Sequence, residues 1–390
     1  FFAALMLLAA SSVKAEEGLT YTPNNDVTGH SKVALDQLDI KELVDAGDLA
    51  GALDIYQNGK NAMKGSGEMR TLQAMAQVDW IDQGVEDVSA YDAYAMLFKT
   101  PGPKASYLDS FTMDAMTGTG TFAGQTAAMQ AISGKKNLLC TGLNYAQYEG
   151  VKAIQFANEK NWDELFAFWN GVYDSSVDER VNSGGPGAVQ KSRDGDFGTS
   201  FREASLQAII DGQKAFEGGL NVEKLEKAFE AFNKANLATF AQATLKYSDI
   251  YSEEGLEQDK IDKKWGEGYA YFRCGAGLMN PELAVFIDYE LDPRDKDMSA
   301  DIVPHETSCK ILKKMLSLPD IGMGLTVEDL NVETYLPNIK TDCDISDFKH
   351  AAGAKKSDSQ RAFIPIIGLL IVACVYVVGF MKFGRNRKQQ

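Results

Sequence analysis

Phenols, carboxylates and guanidinium groups recur together in this chain, at spacings that a helix would bring onto one face. Tyr145, Tyr148 and Glu149 form one such set; Asp174 and Asp178, beside Tyr173, form another. Tyr247 with Tyr251 and Glu267 with Tyr271 repeat the i, i+4 pattern, as do Tyr269 and Arg273. Oxygen donors of this kind suit a hard trivalent cation such as Fe³⁺ better than imidazole or thiolate does. Only three histidines are present, His30, His305 and His350, and no C-x-x-C spacing occurs, which argues against a histidine-rich metal site or a bis-histidine haem. Any single pair is more often packing plus a surface charge than a ligand set. The argument rests on their number.

A ferric site also needs its charge balanced. Carbonate held by an arginine and a helix N-terminus can act as a co-ligand. Arg193, in SRDGDFGTS just ahead of an expected helix, is placed for that role, with Thr199 as a hydroxyl donor and Arg180 or Arg273 as alternatives. The plain alternative is a surface loop in which Arg193 pairs with Asp194 or Asp196. Catalysis is poorly supplied: three histidines leave little for a nucleophile and base, and neither G-x-S-x-G nor H-E-x-x-H occurs. The expectation is a binding protein, not an enzyme.

The segments that must position these residues read as helices. SKVALDQLDIKELVDAGDLAGALDIYQNGKNAMK has apolar residues at helical spacing, broken near Gly47, with Asp48 as the N-cap of the second piece. YAQYEGVKAIQFANEKNWDELFAFWNGVYDSS gives a pair that turns near residues 159–162. TSFREASLQAIIDGQKAFEGG starts at Thr199 or Ser200, with Glu203 in capping-box position. Strand signals are scarce, so the expected fold is all-α, with antiparallel helices joined by short connections. A similar spacing of Leu, Ala and Tyr in residues 47–62 and 236–254 suits two related halves. Two glycine-rich passages, residues 116–126 and 182–201, read as turns that lead into helix starts.

The ends bear on location. Residues 1–15 read as a secretory signal peptide that lacks its basic start. Residues 16–348 are then an extracellular body, with 282–348 as a cysteine-containing C-terminal subdomain, and 349–361 form a polar stalk. Residues 362–381 carry no charge over the ~20 residues that span a bilayer, and basic residues in 382–390 orient that tail to the cytosol. Cys140, Cys274, Cys309 and Cys343 lie outside that span; three pairings are open, of which Cys309–Cys343 with Cys140–Cys274 is favoured because the first closes a local C-terminal unit. The net charge of −16 argues against nucleic acid and against anionic lipid headgroups.

GDLAGALDIYQNGKNAMK, YLDSFTMDAMTGTGTFAG, WDELFAFWNGVYD, DFGTSFREASLQAIIDGQKA and KWGEGYAYFRCGAGLMN resemble, in order and spacing, the algal iron-assimilation proteins, and with the two ends the phytotransferrins, low-iron-induced surface proteins of diatoms. The likeness runs from about residue 38 to residue 280. It implies a cell-surface ferric-iron uptake protein, with carbonate as synergistic anion and internalisation of the loaded protein; KFGRNRKQQ holds no tyrosine-based or dileucine sorting signal, so an endocytic partner or bulk membrane flow would carry it inward, and a reductase partner is a further expectation. The rival reading is a surface interaction or adhesion module without a metal; a calcium site lacks its D-x-[DN]-x-[DN]-G loop.

Overall fold

The computed structural model describes residues 19–87, 93, 97–98, 106–249, 257–295, 306–332 and 343. The leader, stalk, apolar span and tail expected from the sequence lie outside these residues, as do Tyr251, His305 and His350. Among the described residues no helix is long and apolar enough to cross a membrane.

Regular structure among the described residues is helical, with two isolated bridges, Met63–Met69 and Gly322–Leu325. The elements are α1 (Thr28–Ser31), α2 (Val33–Asp45), α3 (Leu49–Asn58), α4 (Leu72–Ala76), α5 (Ser106–Thr117), α6 (Ala127–Gln155), α7 (Glu159–Asn170), α8 (Pro186–Phe197), α9 (Phe201–Lys214), α10 (Val222–Asp249), α11 (Gln258–Gly275), α12 (Pro281–Leu291) and α13 (Glu306–Ser317). The break at Gly47 is real, and the Asp48 carboxylate accepts the Gly51 amide to cap α3. The turn between α6 and α7 falls earlier than its expected place, at residues 156–158, with Ala157 at positive φ and Asn158 capping α7.

The frame is α6, α10 and α11. Going up α6, Thr126 meets Asp262, Lys136 meets Tyr271, and Cys140 is disulfide-bonded to Cys274. Residue numbers therefore rise together, and α6 and α11 run parallel. This departs from a purely antiparallel bundle. The reason lies in the connections: α10 runs against both, since Gln147 bonds Asn233 while Tyr247 stacks on Tyr271, so the return into α11 restores the direction of α6. Gly266 lets the parallel pair close up, because a Cβ there would lie 2.6 Å from the Ser133 hydroxyl. The second expected disulfide, Cys309–Cys343, also forms, and α13 packs on α10 and α12.

On the other side α7 lies antiparallel on α6, its Trp162 fully buried and donating to the Ile209 carbonyl of α9. Gly212 of α9 faces that indole so closely that a Cβ would sit 2.0 Å from it. These contacts fix the polar side of α7 against the upper half of α6.

Candidate metal centre

Two places gather the chemistry anticipated from the sequence, both along α6. The first is its C-terminal half. Tyr145, Tyr148 and Glu149 do share one face, and α7 brings Glu164 to them. Glu149 is 2% exposed, holds Lys152 at 3.0 Å, and accepts from the Asn161 amide at 2.5 Å. Glu164 lies 3.2 Å from Nε2 of His30, and both His30 and Tyr145 pack edge-on against Phe168. Arg70 faces the same groups while donating to the Gly29 carbonyl.

The electrostatics of this cluster are strained toward negative charge. Burial and then the nearby Glu164 push the Glu149 carboxyl up to about 7. Burial raises the Tyr145 phenol, and Glu149, Tyr148 and Glu164 add to the effect. Burial holds His30 down at about 4, against the pull of Glu164, so its imidazole is neutral and able to ligate near neutral pH. Its Nδ1 is buried without a hydrogen-bond partner. Among the described residues no three His, Cys, Asp or Glu side chains form a metal cage by themselves. A metal taken up here would use the phenols with the two carboxylates, a donor set that fits a hard cation.

The second place is the middle of α6, where Tyr247, Glu267 and Tyr271 meet. Tyr247 and Tyr271 stack with ring centroids 5.2 Å apart. Here cations already occupy the oxygens. Lys136 bonds the Tyr271 hydroxyl at 2.9 Å and pairs with Glu267 at 2.9 Å, and Lys264 approaches the same carboxylate. Burial would lower the Lys136 ammonium, but Tyr271 and Glu267 outweigh it and hold it protonated. At Glu267 and Tyr271, expected as ferric ligands, an added trivalent cation would meet two ammonium groups, which repel it.

Other expectations are also revised. Asp174 and Asp178 lie beyond the end of α7 in a turn rather than facing a common centre: exposed Asp174 accepts from Ser176, and half-buried Asp178 is held by Arg180. Tyr173 places its hydroxyl 3.3 Å from Thr28 and packs on Phe166. Arg193 is not on a loop ahead of a helix but inside α8, 5% exposed and paired with Asp196 at 2.8 Å. Thr199 gives its hydroxyl to Asp194, whose carboxylate also accepts the Phe201 and Arg202 amides; Asp194, rather than a Ser200–Glu203 box, closes the start of α9. Arg273 is buried over the Phe98 and Phe111 rings and donates to the Tyr107 carbonyl, while its Nε is buried without a hydrogen-bond partner.

Sequence reasoning missed His30, Arg70 and Glu164. Glu164 was within reach: it stands one turn from Asn161 and Lys160 on the polar edge of a strongly amphipathic segment. His30 and Arg70 carry no local signal, since only the docking of α1 and of the turn before α4 brings them to α7.

Comparison with known proteins gives one match. A family model described as Fea1, low iron-inducible periplasmic protein, covers residues 2–257. No curated protein and no solved structure matches the chain.

Proposed function

Because the chain belongs to the Fea1 family of low iron-inducible periplasmic proteins, we propose that it captures ferric iron outside the cell for high-affinity uptake. The observation that carries this reading is the pairing of buried Glu149 with Glu164 beside Tyr145, where Lys152, Lys160 and Arg70 supply too little positive charge to offset the burial of the Glu149 carboxyl. A small trivalent cation supplies that charge. Glu149, Glu164 and the Tyr145 phenolate are the proposed ligands, with Tyr148 and His30 adjoining.

Arg70, rather than Arg193, is the guanidinium facing this cluster, so carbonate as a synergistic anion is assigned to its side of the site. Ligation requires Glu149 ionised and Tyr145 deprotonated. Protons compete with the cation for these groups, so acidification weakens the grip, which provides release in an acidic vesicle after endocytosis. Anchoring through residues 362–381, with the body outside the cell, completes the proposal, and a partner protein supplies the internalisation signal. The chain acts as a carrier and not as an enzyme.

Ferric citrate titrated into the protein, with and without bicarbonate, tests the reading. A visible phenolate-to-iron band that is lost in Tyr145→Phe, and a higher affinity with bicarbonate, are expected. A band that survives Tyr145→Phe together with Glu149→Gln would place the iron elsewhere. The rival reading, a surface interaction module, expects no rise in melting temperature with metal.

A further inference from the structure

The middle of α6 borders a cavity of about 280 Å³ between α2, α6, α8, α10 and α11. Lys136, one of its lining ammonium groups, is 13 residues from Glu149, about 20 Å along the helix axis. The cavity is therefore separate from the proposed metal centre. Its charge pattern is unusual for a protein of net charge −16. Three carboxylates surround it, and each holds two cations. Asp45 pairs with Lys41 and Lys135. Asp196 pairs with Arg193 and Lys246, and Glu267 with Lys136 and Lys264. Of these six cations Lys41, Lys135, Lys136 and Arg193 line the cavity, with Lys41 at its exposed rim.

Arg193 is the decisive member. Its side chain is 5% exposed and lines the cavity, yet both Nε and Nη1 are buried without a hydrogen-bond partner. Only Nη2 is engaged, by Asp196 and the Ser192 hydroxyl. Leaving buried guanidinium donors without a partner carries a desolvation cost, so such donors ordinarily mark a place for an acceptor. Gln37, also buried on this wall, has an unpartnered Oε1, and its amide bonds the Leu138 carbonyl. The remaining walls are carbon: Leu38, Leu138, Leu139 and Val189, with the Tyr247 and Tyr271 rings.

We propose that this cavity binds a small organic polycarboxylate, with one carboxylate on Arg193, a second toward Lys136 and Lys135, and its carbon skeleton against the leucines and the Tyr247–Tyr271 pair. The excess positive charge calls for more than one negative group on the ligand. The apolar walls favour a carbon chain over a compact phosphate, and the volume, at the lower edge of the ~300–1,000 Å³ usual for ligand pockets, limits its size.

The test uses the full-length chain freed of metal, with citrate as probe and inorganic phosphate as the contrasting anion, followed by calorimetry and melting temperature. Citrate is expected to bind and to raise the melting temperature, with phosphate at least tenfold weaker. Arg193→Gln should weaken citrate tenfold or more. Since loss of a buried cation can disturb folding, two further variants accompany it. Ala188→Trp fills the cavity and should abolish binding, while the rim pair Lys41→Gln/Lys135→Gln should weaken it severalfold with the fold intact. No heat and no stabilisation with citrate overturns the proposal. Equal binding of phosphate overturns the polycarboxylate assignment, and citrate binding unchanged in Ala188→Trp places the anion elsewhere. Because no metal is present, the outcome is independent of the ferric reading.

Discussion

The two ends of the α6 polar face use nearly the same side chains to opposite effect. Near residues 145–149 two tyrosines and two glutamates face Arg70, Lys152 and Lys160, and burial still pushes Glu149 up to about 7. Near residue 136 two tyrosines and one glutamate face Lys136 and Lys264 directly, with Arg193 and Lys246 against the Tyr247 ring. The residue types alone do not distinguish a cation site from an anion site. The charge left over after local pairing does.

The largest expected effect separates the two regions by ligand. Tyr145→Phe combined with Glu164→Gln should lower ferric affinity by on the order of 100-fold, at or beyond the loss seen when a supporting group of a metal site is removed. Tyr271→Phe or Glu267→Gln should move it less than about threefold. Equal losses from both pairs would erase the distinction drawn here.

A second comparison uses the covalent tie. Cys140–Cys274 closes a separation of 134 residues and joins the parallel rods beside the cationic cavity. Replacing both cysteines by alanine should cost about 2–5 kcal/mol in urea unfolding, and it should weaken citrate binding more than ferric binding. The reverse ranking would mean that the disulfide supports the wrong region.

A smaller effect tests the charge strain itself. A carboxyl whose pKa rises on folding favours its protonated form in the fold. That contribution is complete below about 4.5 and is lost as pH rises through about 7. Glu149→Gln should therefore raise the melting temperature of the metal-free protein by a few degrees at pH 8 and hardly at all at pH 4; no difference between the two would show that Glu149 is not strained. The smallest effect is a control. Asp174→Asn should leave both melting temperature and ferric affinity unchanged, since its carboxylate stands in solvent and accepts only from Ser176 of its own turn.

Much of the frame was legible because its signals are local. The Asp48 cap, the break at Gly47 and the tyrosine face of α6 follow from neighbours in sequence. The cysteine pairing, favoured because Cys309–Cys343 closes a local C-terminal unit, is the one observed. The α8 segment was misread as a loop because PGAVQKSRDGDF is rich in glycine and charge. Its boundaries were nonetheless marked, by Pro186 in the first turn and by Gly198 in the left-handed conformation just past the end. What could not be read was convergence: His30, Arg70 and Glu164 come from three elements, and only the packing of α7 across α6 makes them one site.

The carboxylate of Asp194 fastens two helices at once, holding the last turn of α8 to the first amides of α9. It is the residue next to Arg193, so the guanidinium is aimed from a corner that is bolted rather than hinged. A change at Asp194, which reaches neither cluster, would therefore loosen the aim of its neighbour. The accuracy of the anion recess is set at a joint outside it.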